Sequence, residues 1–406
     1  MTSFQFSASS TFSPAANARR LRDRVQRDSF YNAALYFGAA LFATLVLLVP
    51  FYLLVRSGAA WRDALQTLAR PSTFAVLGNT ALLAISVTLG TAVLAIPLAW
   101  LTARTDLPGR RLWSVLHALP LVIPSYIYAF LFVSFLSPKG LLQQILEPAL
   151  GITRLPSIYG FGGAFLVLTL ISYPFVFLPV QAALRQMDAS LLEVAQTNGA
   201  GKRQIARHVL LPYLWPAITA GGLLVALYTL RDFGAVTLLQ FSTFTRVIYN
   251  RYQGFQLDEA ATMALLLVLM TVIVMHFESR LRRHGAEDDL EMNSSVRDKQ
   301  FKLGRWRWPA LIYSALVSFL ALFMPLLLLG YWVVRGLQQG AGTGVTALAR
   351  QNSLQIGDLL GPAQSSFVTA LLAAVLAVLL ALPIAILSTR HKGRLVAFFE
   401  RLSYSS

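Results

Sequence analysis

Residues 185–212 read RQMDASLLEVAQTNGAGKRQIARHVLLP, a polar stretch between the apolar runs 161–184 and 213–239. Asp188 is placed to cap a helix over Ala189–Thr197, with Leu191, Leu192 and Ala195 on one side and Glu193 on another. Gly199 and Gly201 supply backbone freedom for a tight turn. A short basic helix, Lys202–Val209, then leads to Leu211-Pro212, where proline opens the next apolar run. A mere re-entry turn needs only a few residues. A folded helix–turn–helix showing small and apolar side chains outside a bilayer is better suited to dock a partner protein.

Working outward from this loop, apolar runs recur at 31–55, 75–102, 112–136, 161–184, 213–239, 260–277, 309–334 and 365–389. Runs of about 20 residues span a bilayer. The 406 residues are 56% hydrophobic and 13% charged, with mean hydropathy +0.60. Soluble proteins carry about 25% charged residues, so an ordinary soluble enzyme is excluded and lipid is the expected solvent. Net charge is +16, but the basic residues fall mainly between the apolar runs, so nucleic acid is not an expected partner. No cysteine is present, which excludes disulfides, Cys-ligated metals and thiol nucleophiles. Residues 1–30 form a polar tail without the pattern of a cleaved signal peptide.

With the N-terminus in the cytoplasm, 24 Lys and Arg fall inside and 10 outside. The positive-inside rule favours this orientation. It places loop 185–212 and the charged segment 278–308 in the cytoplasm. A repeat is also present. Thr80-Ala81-Leu82-Leu83-Ala84 recurs as Thr369-Ala370-Leu371-Leu372-Ala373, and Pro97 precedes Arg104 as Pro383 precedes Arg390. The repeats fall on the second and eighth spans, an even offset of six, so the halves run parallel. This gives a cytoplasmic tail 1–30, a first half 31–284, a linker 285–308 and a second half 309–406. The second half is expected to be cut short, because the chain ends 16 residues past Arg390.

Catalytic motifs are scarce. His117, His208, His276, His284 and His391 are scattered, with none of the paired spacing that metal sites use. Gly199-Ala200-Gly201-Lys202-Arg203 resembles the end of a phosphate-binding loop. That loop needs glycine where Gln196 stands and Ser or Thr where Arg203 stands, so this chain is not expected to hydrolyse ATP. Arg231-Asp232 is the charged pair closest to membrane depth, which makes it a functional candidate; interfacial placement or pairing within the protein fits equally. Pro97, Pro120, Pro124, Pro174, Pro179 and Pro216 lie inside runs and permit kinks.

The loop resembles the EAA motif of ABC-importer permeases: Glu-Ala-Ala, three residues, Gly, nine residues, Ile, one residue, Leu-Pro. Glu193, Ala195, Gly199, Leu211 and Pro212 match, while Val194 and Val209 depart from it. Arg231-Asp232-Phe233-Gly234-Ala235-Val236 and Phe244-Thr245-Arg246-Val247-Ile248-Tyr249 look like the ferric-iron permeases of that superfamily. The resemblance covers 31–284 well and 309–395 more thinly. It implies an all-α polytopic membrane protein with the type I ABC-importer permease fold, two parallel half-repeats and a truncated second one. It implies a multi-pass subunit of the bacterial inner membrane. Its partners would be a dimer of a cytoplasmic ATP-binding cassette ATPase, which uses the ATP, and a periplasmic substrate-binding protein. No cofactor is expected on this chain. Glu193, Ala195, Gly199, Leu211 and Pro212 would carry the coupling. Ferric iron, a hard cation, prefers oxygen ligands, which Asp232, Tyr126, Tyr128 or Tyr173 offer; spanning tyrosines also serve packing. Thiamine, sulfate-type and phosphonate importers share the loop, and an ion-coupled carrier built on a repeat stands outside the class.

Overall fold

The computed structural model describes residues 14–188, 194–195, 197, 199, 201–283, 301–341 and 356–390. Among them the regular secondary structure is helical, and eight apolar helical stretches are long enough to cross a membrane, from Leu35–Ala59 to Leu360–Leu387. In lipid every backbone N–H and C=O must find a partner within the protein, which the helix supplies. The many threonines in these helices turn back on their own backbone, as in Thr80 Oγ1 to the Val76 carbonyl at 2.7 Å and Thr102 Oγ1 to that of Leu98 at 2.8 Å.

The chain divides into two compact units, residues 53–353 and the two ends, 1–52 with 354–406. In the second of these, Leu35 and Ala39 of the Pro14–Ala59 helix pack on Ile384 and Leu387 of Ile356–Arg390. Gly38 makes room there: a Cβ on it would lie 2.7 Å from Cγ of Pro383.

The 53–353 unit is built around the Pro71–Arg104 helix, which packs on Pro174–Gln186 and on Leu211–Arg231. Leu83, Val87, Leu98, Val176, Phe177, Val180 and Val225 are buried in this core. Close approach of backbones replaces the hydrophobic effect as the drive for helix association in lipid. Gly221 provides it here, since a Cβ would fall 2.6 Å from the Phe175 carbonyl oxygen. At one end of the unit Asp258 and Glu259 occupy the first turn of Leu257–Arg283, where the helix dipole favours acids. Arg56 pairs with Asp258 at 2.8 Å, and Glu259 takes Arg70 at 2.9 Å and Arg251 at 2.7 Å.

Three expectations from the sequence need correction, each because of a local backbone constraint. The third apolar run, 112–136, is not one helix: Arg110–Leu116 is followed by a 3-10 turn at Leu119–Val122, and a new helix runs Ser125–Leu136. Pro120 and Pro124 bring this about, because proline lacks an N–H and pushes the residue before it out of the helical region; Ile123 is extended, with ψ 124°. The fifth run, 213–239, stops as a helix at Arg231, since Asp232 is extended with ψ 126°. The short basic helix does not close at Val209. Lys202–Ile205 passes through a π turn at Ala206–Leu210 straight into Leu211–Arg231. A second π turn, Phe319–Phe323, stands in the same register before Met324-Pro325 as the first does before Leu211-Pro212. The wider turn accommodates a proline whose ring would otherwise strike the carbonyl four residues back.

The end of the segment read as a linker is fastened to the first half. Phe301 N–H donates to the Arg104 carbonyl at 2.8 Å, Asp106 N–H to that of Phe301 at 3.2 Å, and Leu303 N–H to Asp106 Oδ1 at 2.8 Å. The Phe301 ring lies 5.3 Å from that of Trp100. The following helix begins at Arg307.

Candidate functional site: the loop between spans and the Asp232 corner

The loop leaves the bundle at Met187, which ends the Pro174–Gln186 helix with its side chain buried and ψ at 130°. The exit is braced by side chains. Gln181 Nε2 donates to Thr102 Oγ1 at 2.6 Å and Ser114 Oγ at 2.9 Å, and Arg185 donates to the same Ser114 Oγ at 3.1 Å. Arg104, at the end of Pro71–Arg104 and 1% exposed, donates to the Met187 carbonyl.

Glu193 and the first turn of the helix that Asp188 is expected to cap, residues 189–193, lie outside the described residues. Ala195 is helical and half-buried, beside an exposed Val194. Thr197 Oγ1 donates to the Val194 carbonyl at 3.0 Å, tightening the end of this piece. Gly199 follows in a turn at φ 77° with nothing within 4 Å of where a Cβ would sit. Glycine is required there by the backbone, since space is ample. Gly201 opens the next helix, and Gln204 Oε1 accepts its N–H at 3.1 Å, half of a capping box. Leu211 and Pro212 are exposed at the start of the following helix. Val194, Leu211 and Pro212 thus present apolar atoms on a folded loop.

Away from this loop, Asp232 is 6% exposed and ends the Leu211–Arg231 helix. Its Oδ1 accepts the N–H groups of Ala235 at 2.9 Å and Val236 at 3.4 Å, capping the short helix Gly234–Leu238. Its carbonyl accepts Thr245 Oγ1 at 2.7 Å. Gly234 sits against Tyr126, so closely that a Cβ would come within 2.6 Å of that residue's Cβ. Tyr126 itself is exposed. Tyr128 and Tyr173 are fully buried. Tyr128 Oη donates to the Ala321 carbonyl at 3.1 Å, and Tyr173 Oη pairs with His117 Nδ1 at 3.1 Å, where Ser318 Oγ also approaches at 3.4 Å. Asp232 and Tyr126 therefore share a corner, whereas the hydroxyls of Tyr128 and Tyr173 are engaged with protein. Among the described residues no three His, Asp or Glu side chains are grouped as a metal site.

Arg104 and the 301–303 strap escaped the sequence reading. The signal available is the proline–arginine spacing, identical at Pro97–Arg104 and Pro383–Arg390.

Eight apolar helical stretches among the described residues, with a folded, partly apolar loop between two of them, define a multi-pass membrane protein. The chain belongs to the binding-protein-dependent transport system inner membrane components, whose family model matches residues 95–284. It is 30% identical over 242 residues to the inner membrane ABC transporter permease protein YdcU of Escherichia coli, covering 56% of this chain and 76% of that one. It is 28% identical over 367 residues to the Fe(3+)-transport system permease protein FbpB 2 of Haemophilus influenzae. That match takes in 89% of this chain, which spans 66% of the relative's length. The sulfate transport system permease protein CysT of Salmonella typhimurium is 28% identical over 243 residues, covering 58% of this chain and 86% of its own. The fold is shared with a solved bacterial ABC transporter involved in the import of the acidic polysaccharide alginate: TM-score 0.52 at 21% identity, over 66% of this chain and 99% of that one. The protein is accordingly a multi-pass inner-membrane permease subunit of the ABC-importer class and not an enzyme.

Proposed function

We propose that this permease subunit imports ferric iron delivered by a periplasmic binding protein, by alternating access driven by a separate cytoplasmic ATPase dimer. The observation that carries the substrate is the Fe(3+)-transport relative, which aligns along 89% of the chain. In this reading the N-terminus is cytoplasmic and loop 185–212 sits in a groove of the ATPase, with Glu193, Ala195, Gly199, Leu211 and Pro212 in the coupling contact. Closure of the ATPase pair draws the docking loops together, and the spans rock to open outward; hydrolysis reverses the movement. The cargo passes the Asp232–Tyr126 corner, where a carboxylate and an exposed phenol supply hard oxygen donors. Tyr128 and Tyr173, proposed beside that path, have their hydroxyls committed to protein partners. No cofactor is bound by this chain; ATP is consumed by the partner.

A sulfate-type substrate is the second reading, favoured by the CysT relative, which this chain covers for 86% of its length. Uptake of radiolabelled ferric iron and of radiolabelled sulfate into vesicles holding the permease, its ATPase and its binding protein separates the two. Iron uptake is expected; sulfate uptake without iron uptake overturns the substrate. Gly199→Val tests the mechanism in the same vesicles. A β-branched residue at φ 77° is strained by about 1–2 kcal/mol, enough to misplace the docking loop without touching any span. ATP-dependent uptake should fall while insertion and amount stay normal. An ion-driven carrier would be indifferent to this change.

A further inference from the structure

A basic residue at the end of a membrane helix ordinarily extends into water, where it stays hydrated and favours the helix dipole. Arg104 does otherwise. It is the last residue of Pro71–Arg104, is 1% exposed, and sends its guanidinium across to the carbonyl of Met187, the residue at which the chain leaves for loop 188–212. The guanidinium is planar and permanently charged, so a buried one has no neutral form and must keep polar partners such as the Met187 carbonyl. Displacement of Met187 therefore acts directly on Arg104.

The backbone of the same residue faces a second segment. Its carbonyl accepts Phe301 N–H at 2.8 Å, and the parallel pairing of Thr105 with Phe301 continues through Asp106, whose Oδ1 accepts Leu303 N–H at 2.8 Å. Residue 104 thus joins three elements at one point: the long span behind it, the exit of the docking loop beside it, and the strap that leads into the Arg307–Ser318 helix. Arg390 stands in the same register to Pro383 as Arg104 does to Pro97.

We propose that Arg104 is the positioning residue that carries displacement of the docking loop into the Pro71–Arg104 span and, through its carbonyl, into the strap at 301–303. The proposal rests on the reading that loop 185–212 receives an ATPase.

The chain has no cysteine, so a pair of nitroxide labels at Val93→Cys and Leu269→Cys, both exposed on spans, reports span movement without a background. The labelled permease is assembled with its ATPase in proteoliposomes, and the interlabel distance is recorded without nucleotide and with ATP plus vanadate. Arg104→Gln should retain the ATPase and its basal hydrolysis while the nucleotide-driven coupling falls about 2- to 30-fold, the range for residues along a chain of contacts. Arg104→Lys, which keeps a charged donor, should restore part of it. A purely structural role would lower assembled complex and hydrolysis together and leave the shift per complex unchanged; that result overturns the proposal. Asp106→Ala, which removes the Leu303 hydrogen bond and loosens the strap without touching a buried charge, should also reduce the shift, and serves if Arg104→Gln does not fold. A full-sized shift in Asp106→Ala overturns the strap's part. If the parent permease fails to hold the ATPase, the reading of the loop falls and takes this proposal with it; if it holds the ATPase and only the Arg104 variants behave as parent, the reading stands and the proposal falls alone.

Discussion

The hydroxyl of Tyr128 reaches the Ala321 carbonyl at 3.1 Å, and the residue four positions beyond that carbonyl is Pro325, which has no N–H to offer it. A tyrosine on one helix thus stands in for a donor that a proline on another has removed. Tyr128→Phe should lower stability by about 1–2 kcal/mol, the cost of an unpaired polar group in lipid, read as a lowered midpoint of thermal unfolding in detergent. In a Pro325→Ala background, where the N–H is restored, the same substitution should cost less than half as much. Equal costs in the two backgrounds would rule out this pairing. Neither Tyr128 nor Asp232 declares such a role in the sequence. Tyr128 needs its partner from a segment nearly two hundred residues away, and Asp232 caps a helix too short to show a period. Gly199 was legible, because a glycine between two helical patterns points to a turn on local grounds alone.

Among the elements, the two glycines of Leu211–Arg231 separate by what they face. A Cβ on Gly221 would meet backbone, 2.6 Å from the Phe175 oxygen and 2.7 Å from Val176 Cα, whereas one on Gly222 would lie 3.2 Å from Thr88 Cγ2, a methyl that can turn aside. Gly221→Ala should therefore cost about 1–3 kcal/mol by forcing two helices apart. Gly222→Ala should be near neutral, since helix propensity favours alanine by about 1 kcal/mol. Thermal unfolding of the two variants side by side checks this, and equal losses would mean that the helices do not approach as described. Apolar runs gave the number of spans well, because a bilayer imposes one length on all of them. Their interruptions were harder. Pro120 and Pro124 were noted as kinks and prove to be a full break, while Pro97 and Pro216 remain inside continuous helices. A proline's effect depends on whether its neighbours can supply the missing partner, and that information lies in the packing.

For the molecule as a whole, the hydrogen bond from Arg104 to Met187 places the 104–111 turn on the same face as the docking loop. The proposed orientation puts that face in the cytoplasm. In the cysteine-free chain, Arg111→Cys should resist a membrane-impermeant maleimide added to intact spheroplasts and react once they are lysed. Phe255→Cys, 89% exposed in the turn before Leu257–Arg283, should react in both. The reverse pattern would invert the topology and move the docking loop outside. The spacing of Pro97–Arg104 and Pro383–Arg390 marks a repeat in the sequence, whereas the strap at 301–303 was not legible, because no pattern marks three residues that pair with a distant turn. That strap has a practical side. Fixing Phe301 and Leu303 to the first half sets where the next span starts, whatever the count of residues ahead of it. Closing a longer loop costs little, about 0.6 kcal/mol for each doubling. An insertion ahead of Phe301, such as a fluorescent module or an affinity handle, therefore sits upstream of an anchor that keeps the register of everything after it.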